Sequence, residues 1–137
     1  MKTTGGWKPA SLYIPVGPGE LIDKITILEI KSERIAAREK LVNVRAELTE
    51  LGAVRDGAIA PSATLQKLTA ALKQVNQTLW WVEDELRLYE RHADFGPCFV
   101  ALARSVYKLN DQRAALKRQI NDLLQATIVE EKSYAAY

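Results

Sequence analysis

The 137-residue chain has one cysteine, one histidine and one methionine. A single Cys98 cannot close an intrachain disulfide, so packing rather than covalent cross-links must hold the fold, which suits a reducing, cytoplasmic setting. One histidine and one cysteine cannot assemble an ordinary zinc site, and no Glu-x-x-His pair supports a di-iron carboxylate centre; no metal and no cofactor is expected. Neither a Gly-x-Gly-x-x-Gly run nor a P-loop occurs, which removes nucleotide binding by those devices. No apolar stretch approaches the roughly 18 residues of a membrane span, and Met1 to Pro9 lacks the apolar core of a signal peptide. Charge of one sign is missing as well: 19 basic and 17 acidic residues are mixed along the chain for a net +2. No long-range field draws in nucleic acid or anionic lipid, and neither is an expected partner.

What is present is helix periodicity. Glycine and proline concentrate at 15–19, 52–61 and 94–97, and divide a single domain (1–137) into an N-terminal arm (1–17), three long segments and a tail (132–137). The middle segment carries Leu65, Leu68, Leu72, Val75, Leu79, Val82, Leu86 and Tyr89 at alternating spacings of three and four. The first shows Ile27, Ile30, Arg34, Ala37, Leu41, Val44, Leu48 and Leu51, and the last Phe99, Leu102, Val106, Leu109, Arg113, Leu116, Ile120 and Leu123. The expected fold is therefore all-α: an antiparallel up-down-up bundle of three long helices, at about 19–51, 62–92 and 97–131, with an extended arm beside it. Ser62 is placed to cap the second helix and Pro97 to open the third.

Two kinds of residue break this pattern. Arg34 and Arg113 occupy seam positions where Leu or Ile is expected, and a guanidinium there needs an acceptor. Stacked in register, they fall near Asn76, Glu83 and Asn110, so a polar layer across mid-bundle is expected. It either fixes the helix register or lines a pocket for an anionic small molecule. Apolar residues are also in excess. Trp80 and Trp81 cannot both enter a seam already filled by Leu79 and Val82, and Leu88 extends the outer stripe. On the first helix Leu21, Ile25, Leu28 and Ile35 form a second stripe away from the seam. The candidate covers are the arm with Trp7, Leu12, Tyr13 and Ile14, a second copy of the chain, or another protein. His92 and Cys98 sit at helix ends where dipoles account for them, and the mildly basic Arg104, Lys108, Lys117 and Arg118 read as a solvated face.

The run from Pro18 to Ile35, PGELIDKITILEIKSERI, resembles the opening motif of an uncharacterised bacterial family of small helical domains, and Leu79-Trp80, Ala103-Arg104-Ser105-Val106-Tyr107 and Glu130-Glu131-Lys132-Ser133-Tyr134 agree with it. That resemblance implies a helical domain and no activity. The stretch from Ile22-Asp23 to Glu33-Arg34 is similar to the first helix of all-helical chorismate mutases, which would make Arg34 a carboxylate anchor and Glu83 or Arg113 pocket groups. Its acid-to-arginine spacing is one residue longer than in that family, and the likeness stops at the first helix. The sequence thus points to a non-enzymatic helical bundle acting through protein contacts, by self-association or as a subunit or adaptor. The alternative is an anionic-metabolite site built on Arg34, Asn76, Glu83, Asn110 and Arg113.

Overall fold

The computed structural model describes residues 11–137, which hold four helices, not three: α1 (Pro18–Arg34), α2 (Arg38–Ala58), α3 (Ala63–Arg91) and α4 (Pro97–Leu123). The expected first helix breaks at Ile35-Ala36-Ala37. Ile35 and Ala37 are both extended, at φ −77°, ψ 131° and φ −65°, ψ 119°. Neither glycine nor proline marks the break, and the three-and-four spacing runs through it because both halves are amphipathic. The reason for the break is burial. α1 is apolar on more sides than two helices can cover, and the chain doubles back so that α2 covers the rest. A Lys24–Glu47 ion pair at 3.1 Å marks their antiparallel register.

The order is up-down-up-down, with α1 at the centre. It packs against α2, α3 and α4, whereas α2 packs against α1 alone. Ile22 meets Leu65, Leu72 and Ile120 in the core, and Ile59, Leu68, Leu116 and Leu124 close around them. The second apolar stripe of α1 is covered from within the chain: Leu21, Ile25 and Leu28 are buried, and Ile35 is half-buried at the turn into α2. These four residues are therefore not a free interface. The arm does not provide the cover that the sequence allowed, because Leu12, Tyr13 and Ile14 are exposed; Trp7 lies outside the described residues.

Local chemistry sets the ends. The Ser62 hydroxyl accepts the Leu65 N–H at 3.1 Å and starts α3, and Pro97 opens α4. α4 stops at Leu123, short of the expected 131. Gln125 takes a left-handed φ of 55°, and the Ala126 N–H bonds the Asn121 carbonyl at 2.9 Å, a Schellman-type stop. The chain then runs back along α4 without helix to Tyr137.

Helix lengths decide what stays bare. At 1.5 Å per residue, the 17 residues of α1 span about 25 Å and the 29 of α3 about 43 Å. Beyond Trp80 and Asn110, where α1 ends, α3 and α4 project as a two-helix hairpin. No residue of α4 from Pro97 to Leu116 is buried, and none of α3 from Glu83 to Arg91.

Candidate functional site

A polar layer crosses the bundle, and its centre is an acid outside the apolar seams, Asp23. Asp23, in the second turn of α1, is 1% exposed. Its carboxylate accepts the Arg113 Nε–H on Oδ1 at 2.9 Å and an Nη2–H on Oδ2 at 2.5 Å, a two-point pair. The Asn76 amide also donates to Oδ1 at 2.9 Å and to the Thr26 hydroxyl at 2.9 Å, and that hydroxyl donates to the Asp23 carbonyl at 2.7 Å. One residue from each of α3 and α4 is thus tied to α1. Hydrogen bonding to Asp23 raises the Arg113 pKa above its ordinary value; burial opposes the rise, and Asp23, Glu20 and Glu130 add to it as charges. Among the described residues no buried side-chain nitrogen or oxygen lacks a partner. A network this closed ties α1 to α3 and α4 with each of its buried polar atoms paired.

Continuing the first-helix stripe one turn back from Ile27 lands on Asp23, so the 3-4 spacing contained the signal. Thr26 shows no such sign, because its role depends on the crossing with α3. Arg34 is not part of the layer. It is the last residue of α1, exposed and without an ion pair among the described residues, in a position where a cation complements the helix dipole.

Next to the network, Asn76, Leu79, Trp80, Glu83, Asn110 and Arg113 line an open hollow of about 330 Å³ with Ile27 and Ile30. Four of the five candidate ligand residues therefore share one space, floored by the end of α1. Glu83 is bonded to Arg87 one turn on. The Trp80 side chain is half-buried in this hollow, whereas Trp81 and Leu88 point outward, 52% and 43% exposed.

Two other concavities are less suited to chemistry. The largest, about 620 Å³, lies between the end of α2 and the start of α3, with Ile22, Ile25, Ile59 and Leu65 among its walls. Its cationic rim is already occupied: Arg55 bonds Asp56, and Lys73 pairs with Glu29 and Glu33. At the opposite end of α1 the returning tail closes on Lys117, whose side chain is 9% exposed and whose ammonium sits 2.8 Å from both Glu20 and Glu130. Asn121 accepts the Gly19 N–H at 2.8 Å, capping α1 from 102 residues away where Gly17 has no side chain to do so. Among the described residues no group of three His, Cys, Asp or Glu side chains is placed to hold a metal, and no helix is long and apolar enough to cross a membrane.

Residues 12–137 match a family of unknown function, DUF6165. The chain belongs to that family. No curated protein and no solved structure matches it. The DUF6165 match covers all four helices and the returning tail, so network, hollow and hairpin all fall within the family's extent.

The tail contact gives a pH prediction. Hydrogen bonding to Lys117 lowers the Glu130 pKa, against a smaller effect of burial; burial lowers that of Lys117, but Glu130 and Glu20 outweigh it and the net shift is upward. A depressed carboxylate stabilises the fold above its unfolded pKa of about 4.3 and loses that contribution as pH falls through the folded value. A raised lysine contributes fully below about 10.4 and loses it as pH rises through its folded value. Glu130 is nearly half exposed, so Glu130→Gln should cost no more than about 1 kcal/mol at pH 7. Urea titrations should show this difference shrinking as pH falls below about 4.3; a difference that does not depend on pH in the acid range would mean the pair is not its source.

Proposed function

We propose that this chain is a non-enzymatic helical module that acts through protein–protein contacts, presenting the projecting α3–α4 hairpin as its docking surface, for self-association or as a subunit or adaptor. One observation carries the reading: Phe99, Leu102, Val106 and Leu109 form an apolar row on α4, yet no residue of that helix before Lys117 is buried. Two helices cannot desolvate such a row between themselves, and a third helical surface alongside would. The closed Asp23–Arg113 network supports the same reading, because it engages the one cation that lines the hollow.

A photo-reactive amino acid at Ala103, in the middle of the hairpin face, should cross-link to protein in living cells, and one at Arg45 on exposed α2 should not. Cross-links at neither position would overturn the reading. A second reading keeps the hollow: Trp80, Glu83, Asn110 and the remaining Arg113 N–H groups surround a space large enough for a small carboxylate or phosphate ester. Thermal stabilisation by such an anion, lost in Asn110→Ala with the network intact, would favour it.

A further inference from the structure

Resting on the docking reading above, we propose that the partner is a second copy of this chain: two α3–α4 hairpins dock face to face, antiparallel, each tip running up to the end of the other protomer's α1. The bare face is the continuation of the path of α1. Glu83 and Asn110 line the hollow where α1 stops, and the residues one to three turns further toward the tip on the same side are Leu86, Arg87, Phe99, Ala103 and Val106, half-buried except for the exposed Arg87. That face is about 18 Å long, twelve residues of helix, and a hairpin of the same length fills it.

Orientation follows from sterics. α1 and α2 lie on the same side of the hairpin as the bare face. With both tips pointing the same way, the two α1–α2 layers would collide; with tips opposed, each tip enters the space left by the other protomer's short α1. The arrangement is isologous, with a two-fold axis crossing the middle of the face.

Charge agrees with that axis. On α4 the docking row is uncharged, so two copies meet there without repulsion, and the small Ala103 at its centre permits close approach. On α3 the row carries Glu83 and Arg87, four residues apart and paired with each other in the single chain. An antiparallel two-fold axis near Glu85 sets Glu83 of one protomer against Arg87 of the partner subunit, and the reverse. Glu85 on α3 and Ala103 on α4 lie at about the same level of the hairpin, since Asn76 and Arg113 meet on Asp23 and Trp80 and Asn110 share the hollow, so one axis serves both helices.

Sedimentation of the full chain from about 1 to 100 µM should show a monomer–dimer equilibrium, and Ala103→Arg should weaken it at least about tenfold without altering the melting temperature of the dilute monomer. Glu83→Arg and Arg87→Glu should each weaken self-association, and mixing the two variants should restore a dimer, because only the mixed pair places opposite charges together. Spin labels on Cys98 should lie on the order of 20 Å apart, since opposed tips separate them by the length of the face. A dimer that ignores Ala103→Arg, or whose Cys98 labels touch, overturns the arrangement. A strict monomer at 100 µM overturns the second copy; cross-links from position 103 to a different protein would then leave the docking reading standing, and their absence would remove both.

Discussion

Arg113→Met is expected to lower the free energy of unfolding by about 3–5 kcal/mol, the cost of removing one partner of a buried ion pair. Asp23 would keep the Asn76 amide as a side-chain donor, but the charge that balances it, and two of its three side-chain hydrogen bonds, would be gone. Arg113 is itself 30% exposed, so water entering the vacated space brings the loss toward the lower end of that range. From the sequence alone the opposite sign is reasonable, since an arginine in an apolar seam is often better replaced by methionine. The structure reverses that expectation by supplying the acid. The companion Asp23→Leu with Arg113→Met should recover most of the loss, because an ion pair replaced as a unit leaves no stranded charge. Arg34→Met, at an exposed helix end, should change stability by less than about 0.5 kcal/mol. Urea unfolding of the four proteins decides the matter, and an Arg113→Met variant as stable as the parent would show that the pair does not form in solution.

Gly19→Ala is expected to destabilise by about 2–4 kcal/mol although helix propensity argues for a gain of about 1. Gly19 lies inside α1 with an ordinary negative φ, so conformational freedom is not the issue. Space is: a Cβ there falls 2.5 Å from the Lys117 carbonyl oxygen and 2.9 Å from Asn121 Oδ1. The backbone of α4 cannot step aside without moving α1 off it. That movement breaks the buried Gly19 N–H to Asn121 bond and loosens the Lys117 pairs with Glu20 and Glu130. Gly57→Ala is the control. It sits in α2 with open space around its Cβ position, and it should gain up to about 1 kcal/mol by propensity alone. If both variants gain stability, α1 and α4 are not in the close contact described.

The two predictions bear on function through the same geometry. Asp23, Arg113 and Asn76 lock the second turn of α1 against α3 and α4, and Gly19 and Asn121 lock its first turn. A short, firmly held α1 leaves the hairpin bare beyond it. Variants that loosen either lock should weaken self-association indirectly, with a matching loss of monomer stability, whereas Ala103→Arg should weaken it with no loss of monomer stability. That contrast separates a residue on the docking face from one that only supports it.

Much of the architecture was legible in the amino-acid order. The seams of α3 and α4, the Ser62 cap and the Pro97 start all rest on interactions within a few residues, which a spacing pattern records directly. The polar layer was legible in part: Arg113 and Asn76 stand out as polar residues on or beside apolar seams. Asp23 lies one turn before Ile27, ahead of the apolar stripe, and Arg34 falls in a seam only if the first helix continues past it, which it does not.

Only the tertiary structure decided that break. Three residues, Ile35 to Ala37, leave the helix at the cost of a few backbone hydrogen bonds, and nothing in their own chemistry demands it. What favours the turn is distant: α3 and α4 cover one side of α1, and its second apolar stripe stays wet unless α2 folds back over it. The excess apolar surface on the first helix was therefore a sign of a fourth helix inside the chain, while the excess on α3 and α4 was left over because that fold-back shortens α1. Local sequence can specify a helix and its caps because those energies are local. It cannot specify where a helix stops when the deciding term is burial against partners forty or more residues away.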